Sequence, residues 1–107
     1  MKVSFGTPLY MSPEQMTNQA PCPATDLYSV AIMLFELMAG KTPWENLNPI
    51  EIAMAKTQGK TPGLRQVNPR AETSDRLDEF LAWSLSPDPA LRPQDVACFR
   101  EAFESAM

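Results

Sequence analysis

Apolar residues in this chain recur at helical spacing and nowhere alternate with polar ones over a sustained run. The pattern therefore predicts helices and no strands. The most apolar helix begins near Thr25-Asp26 and runs to Ala39, with its densest stretch from Val30 onward. Its apolar positions, from Leu27 and Val30 through Ala31, Ile32, Leu34 and Phe35 to Leu37 and Met38, cover nearly the whole circumference. A helix that is apolar all round belongs in the middle of a domain, and Gly40 supplies its stop. A shorter helix precedes it at Ser12-Pro13-Glu14-Gln15. Ser12 can cap it, Pro13 suits the first helical position, and Gln15 completes a capping box. Pro21 and Pro23, on either side of Cys22, keep that helix short. Thr42-Pro43-Trp44 reads as a turn. Asn48-Pro49-Ile50-Glu51 then repeats the capping logic for a third helix that ends near Gly59. Residues 59–73 hold two glycines and two prolines and read as a long loop. The fourth helix starts at Ser74, brings Leu77, Phe80, Leu81, Ser84 and Leu85 to one side, and stops at Pro87 and Pro89. The fifth begins at Pro93 and presents Val96, Phe99 and Phe103 together. The expected fold is all-α, with about five helices joined by proline-rich loops.

Composition narrows the picture. A chain of 107 residues, 44% of them hydrophobic, has room for one small domain with a core. The net charge of −4 is spread along the chain without a Lys/Arg cluster. This argues against nucleic acid or anionic lipid as the main partner. Met1-Lys2-Val3-Ser4-Phe5 has no apolar leader core. The stretch Val30–Ala39 contains Glu36 and is about half the ~20 residues of a membrane span. Two cysteines, Cys22 and Cys98, lie far apart with no close pair. A reduced, cytoplasmic chain is the expectation, with one disulfide left open. There is no histidine, which removes His-based catalysis and His metal sites. No metal site is expected.

Three segments carry the functional signal. The first is Gly6-Thr7-Pro8-Leu9-Tyr10-Met11-Ser12-Pro13-Glu14. The second is Asp26-Leu27-Tyr28-Ser29-Val30-Ala31, continuing through Glu36 to Trp44. The third is Leu85-Ser86-Pro87-Asp88-Pro89-Ala90-Leu91-Arg92-Pro93. Singly each is weak, since Ser-Pro-Glu is also an ordinary helix start. In this order and spacing they resemble the lower C-lobe of a eukaryotic-type Ser/Thr protein kinase. Residues 1–14 match the end of the activation segment and its substrate-docking loop. Residues 25–40 match the central helix, and 48–107 match the remaining C-lobe helices. The resemblance covers residues 4 to 107. The family usually has Gly where Ala31 stands, a departure of one methyl.

What the resemblance implies can be set beside plainer readings. In the family, the residues matching Glu14 and Arg92 form a buried ion pair that ties the docking loop to the base of the lobe. Alone, Glu14 suits a helix N-terminus and Arg92 a solvated surface. The acid matching Asp26 accepts hydrogen bonds from the catalytic-loop backbone, or it serves here simply as a first-turn acid. Thr7 matches a hydroxyl that contacts the catalytic Asp and Lys. Pro8, Leu9, Tyr10 and Met11 would shape the pocket for the residue after the phosphoacceptor, or pack as an apolar loop. Glu36 would receive a basic substrate side chain, or reach water near a helix end. Ser4 sits close to where activation-segment phosphosites occur.

The sequence has no Gly-rich phosphate loop, no Val-Ala-x-Lys strand, no His-Arg-Asp loop and no Asp-Phe-Gly metal site. Phosphoryl transfer depends on those parts. No ATP or magnesium site, and no transferase activity, is expected of these 107 residues alone. The implied role is the substrate-docking part of a protein Ser/Thr kinase, present as a fragment or a mis-started gene product. The alternatives are a stand-alone, non-catalytic interaction module and a decayed remnant. The expected partner is a protein substrate or another kinase, engaged through residues 6–11. Self-association through exposed apolar surface of the second helix is a further expectation.

Overall fold

The computed structural model describes residues 9–107. Among them the chain forms α1 (Pro13–Met16), α2 (Pro23–Ala39), α3 (Pro49–Gln58), α4 (Leu64–Val67), α5 (Asp75–Ser84) and α6 (Val96–Ala106), with a 3-10 turn at Pro89–Leu91 and no strand. The all-α expectation holds. No helix among the described residues is long and apolar enough to cross a membrane.

Local chemistry sets most boundaries. Ser12 Oγ accepts the Gln15 N–H at 3.3 Å, and Gln15 Oε1 accepts the Ser12 N–H at 2.8 Å. This is the reciprocal box that the sequence predicts. Asn48 and Glu51 do the same for α3, at 2.9 and 3.0 Å. α2 starts at Pro23, two residues before the expected Thr25. Proline fits a first helical position, and Thr25 Oγ1 then accepts the Cys22 N–H at 3.1 Å. Gly40 ends α2 in the left-handed region, at φ 83°, where glycine has no Cβ penalty.

Two elements depart from the sequence reading. The expected loop at 59–73 contains α4. It is anchored by a fully buried Leu64, whose N–H donates to Asp78 Oδ1 on α5 at 3.1 Å. A single turn with one buried residue leaves no periodicity to read. The last helix begins at Val96, not Pro93, because Asp95 caps it by accepting the Cys98 N–H at 2.8 Å. That cap fixes the phase. Phe99 and Ala106 are buried with Ala102 and Phe103 beside them, and Val96 is 69% exposed. Val96 therefore does not share the Phe99–Phe103 face.

The core forms around α2. Leu27, Tyr28, Ala31, Ile32, Phe35 and Ala39 are buried there. Leu77, Phe80 and Leu81 of α5, Leu64 of α4 and Phe99 of α6 belong to the same cluster. Phe80 meets Phe99 edge-on at 5.1 Å between ring centres and Phe103 at 5.6 Å, spacings favoured by aromatic pairs. The helix is not covered all round. Asp26, Met33 and Leu37 lie on one side at helical spacing. Asp26 is exposed, and Met33 and Leu37 are 47% and 81% exposed.

Candidate functional site

The site is the loop at residues 9–11, running into α1, with the side chains that fasten it. Its base is a buried ion pair. Arg92 donates from Nη1 to Glu14 Oε2 and from Nη2 to Glu14 Oε1, both at 2.7 Å. The two side chains are 0% and 3% exposed. Two parallel bonds to one carboxylate are the geometry a guanidinium fork suits best. The remaining donors are also used. Arg92 Nε donates to Ser86 O at 2.7 Å, Nη1 to Ala24 O at 3.1 Å, and Nη2 to Pro87 O at 3.3 Å. Thr25 Oγ1 donates to Glu14 Oε2 at 2.7 Å. The clamp thus joins α1, the first turn of α2 and the segment after α5.

Electrostatics follow from this geometry. Burial by itself would raise the Glu14 carboxyl. The hydrogen bonds from Arg92 and Thr25 outweigh it and hold the group at about 2, below 4.5. The Arg92 guanidinium also lies over the Tyr28 ring, 4.7 Å from its centre, within cation–π range. Tyr28 is fully buried, and burial pushes its phenol up from 10.0. Its hydroxyl has no hydrogen-bond partner.

The loop itself is fastened at three successive carbonyls. Lys56 Nζ donates to Leu9 O at 2.9 Å and to Met11 O at 2.7 Å. Ser29 Oγ donates to Tyr10 O at 2.6 Å. Tyr10 in turn donates its hydroxyl to Glu36 Oε1 at 2.5 Å. That bond, with the nearby Glu36 charge, raises the Tyr10 phenol above 10.0. Leu9, Tyr10 and Met11 stay half-buried, so their side chains remain in part accessible. Glu36 therefore sits at the loop of residues 9–11, with one carboxylate oxygen already engaged.

The sequence-predicted residues divide into groups. Glu14 and Arg92 meet in the clamp. Leu9, Tyr10, Met11 and Glu36 come together. Asp26 is exposed and lies in the first turn of α2, apart from this cluster. Ser4, Gly6, Thr7 and Pro8 lie outside the described residues. Three further residues matter that sequence reasoning passed over: Thr25, Ser29 and Lys56. Lys56 is 1% exposed, and its Nζ lies 5.3 Å from the Trp44 ring centre and 5.7 Å from that of Tyr28. Burial pushes its amine down to about 7 from 10.5. The two carbonyls and the ring faces favour the charged form and oppose that push. Its signal was its register: Lys56 follows the buried Ile52 by four positions, on the inner side of α3. Cys22 and Cys98 are both free and exposed. Among the described residues no cluster of His, Cys, Asp or Glu could hold a metal ion.

Comparison with known proteins gives the same outline. The sequence pattern of the protein kinase domain matches residues 1–105. The chain is similar to Serine/threonine-protein kinase pkn3 of Myxococcus xanthus, with 31% identity over 100 residues, covering 94% of this chain and 18% of that protein. It is similar to Serine/threonine-protein kinase STY17 of Arabidopsis thaliana, with 37% identity over 93 residues, covering 87% of this chain and 16% of the other. Serine/threonine-protein kinase PksC of Streptomyces coelicolor is 34% identical over 96 residues, covering 90% of this chain and 17% of its own length. The chain spans only 18%, 16% and 17% of these relatives.

Proposed function

The chain belongs to the protein kinase domain family, and from that premise we propose that it carries the substrate-docking part of a protein Ser/Thr kinase C-lobe. The observation that carries this reading is the loop at 9–11. Its carbonyls are fixed by Lys56 and Ser29 while Leu9, Tyr10 and Met11 keep accessible surface. A fixed backbone with open side chains suits capture of an extended peptide, because less ordering entropy is lost on binding. The partner is a protein segment bearing Ser or Thr, with an apolar residue next to it for Leu9 and Met11. The free lone pairs of Glu36 would accept a basic side chain. The parent enzyme would move the ATP γ-phosphate to that Ser or Thr. Nucleotide and magnesium chemistry is not proposed for these 107 residues alone, because the sequence holds none of the motifs for it.

The exposed side of α2 supports a second reading. Met33 and Leu37 leave an apolar surface open beside Asp26. Such a surface fits a non-catalytic interaction module covered by a protein partner or by a second copy. A labelled peptide with a central Ser, an Arg before it and a Leu after it tests the first reading. Saturable binding to the chain, weakened about tenfold by Tyr10→Ala, is the expected result. No binding, or binding indifferent to Tyr10→Ala, would overturn it.

A further inference from the structure

Lys56 does something its surroundings do not require of a core residue. It projects from α3 to lie over the rings of Tyr28 and Trp44, surroundings that an unbranched apolar side chain would also suit. An ammonium there must be compensated, because a buried charge is costly. Two of its hydrogen bonds go to the carbonyls of Leu9 and Met11. Those carbonyls flank Tyr10, whose own carbonyl is taken by Ser29 and whose hydroxyl is taken by Glu36. These two bonds put the charge against the backbone of the loop.

We propose that Lys56 is the positioning residue of the docking loop, holding the backbone on both sides of Tyr10 against α3. This deepens the docking reading and rests on it. One residue bonded at two carbonyls fixes the direction of the Tyr10 side chain more firmly than one bond could. It also couples the loop to α3, whose outer face carries the exposed Ile50 and Met54. Lys56 touches no substrate in this arrangement; it acts through the loop.

The test is amide hydrogen exchange combined with the peptide titration, on the full chain and its Lys56→Met variant. The Ser12 amide, bonded to Gln15 Oε1 next to the Met11 carbonyl, should exchange about tenfold faster in the variant, while those of Ile32 to Phe35 keep their rates. Peptide affinity should fall by about tenfold as well. Lys56→Gln, which retains a donor for one carbonyl, should recover part of both effects. Equal acceleration in the loop and in α2 would show a merely structural lysine and overturn the proposal. So would an unchanged loop, or failure of both variants to fold. If the unaltered chain binds no peptide, the docking reading falls, and the exchange data still decide the role of Lys56.

Discussion

Two buried cations lie over the ring of Tyr28, and they are compensated in different ways. Arg92 sits 4.7 Å from the ring centre and grips a carboxylate with two bonds. Lys56 sits 5.7 Å from it and donates to two backbone carbonyls. Each was taken out of water, and each is 2% exposed or less. The difference lies in what remains when the cation is removed. Without Arg92, a buried negative charge is left behind. Without Lys56, the carbonyls of Leu9 and Met11 lose a donor at a half-exposed loop, where they can turn towards water. The first cation holds the domain together, and the second holds one loop in place.

Removing the guanidinium should have the largest effect. Arg92→Met keeps the side-chain length and strands Glu14. Breaking a buried pair in this way costs about 3–5 kcal/mol. A domain of this size has roughly 5–15 kcal/mol in total. The variant should unfold at a much lower urea concentration, and its Glu14 should no longer titrate low. The unaltered chain supplies the matching control. The folded Glu14 carboxyl lies below its unfolded value, so its contribution is present above pH 4.5 and is lost as pH falls towards about 2. Arg92→Met should lack that acid limb. A loss below about 1 kcal/mol would mean the pair is no stronger than a surface contact.

The two cations also differ in how visible they are in the sequence. Arg92 could be placed in advance because it stands in a proline-bounded segment far from Glu14, and both segments carry family spacing. The caps at Ser12 and Asn48 and the stop at Gly40 were legible for a similar reason, since each depends on neighbours a few positions away. Lys56 was legible only as a register, four positions after Ile52, and its partners were not. A lysine near the end of an amphipathic helix normally lies in water, and only the fold brings Leu9, 47 positions away, to its ammonium. The same physics hid α4, whose single buried Leu64 gains its meaning from Asp78 on another helix. It also misplaced Val96, because the cap at Asp95 set a phase that apolar spacing alone did not. The open side of α2 was foreseen only in outline. Periodicity showed a helix apolar all round, and packing decided that Met33 and Leu37 would be the uncovered residues.

Replacing the lysine should have a smaller and differently signed effect. The Lys56 amine is lowered on folding, so between about 7 and 10.5 the unfolded chain binds more protons. Stability from this group therefore rises with pH across that window. Lys56→Met should remove the rise and leave stability within about 1–2 kcal/mol of the unaltered chain near neutral pH. Urea midpoints compared at about pH 7 and about pH 9 would show it as a difference between the two proteins. An identical pH dependence in both would mean that the ammonium is not desolvated in the fold. A loss as large as that of Arg92→Met would erase the distinction between the two cations.

The ring beneath both cations offers the finest test. Tyr28 is fully buried, yet its hydroxyl has no hydrogen-bond partner. An orphaned buried hydroxyl typically costs about 1–3 kcal/mol. Tyr28→Phe removes the oxygen and keeps the π face, which still attracts both cations, since phenylalanine also serves in such contacts. The ring fills the same volume apart from one atom, so the packing loss is small. Stability should be unchanged or higher by about 1 kcal/mol, read as a shift of the urea midpoint at constant slope. Peptide binding and loop exchange should not change, because neither Lys56 nor Arg92 uses that oxygen. A clear loss of stability would show that the hydroxyl is bonded in solution. If the loss were confined to loop exchange, the hydroxyl would belong with Lys56. If it appeared in the acid limb, it would belong with Glu14 and Arg92.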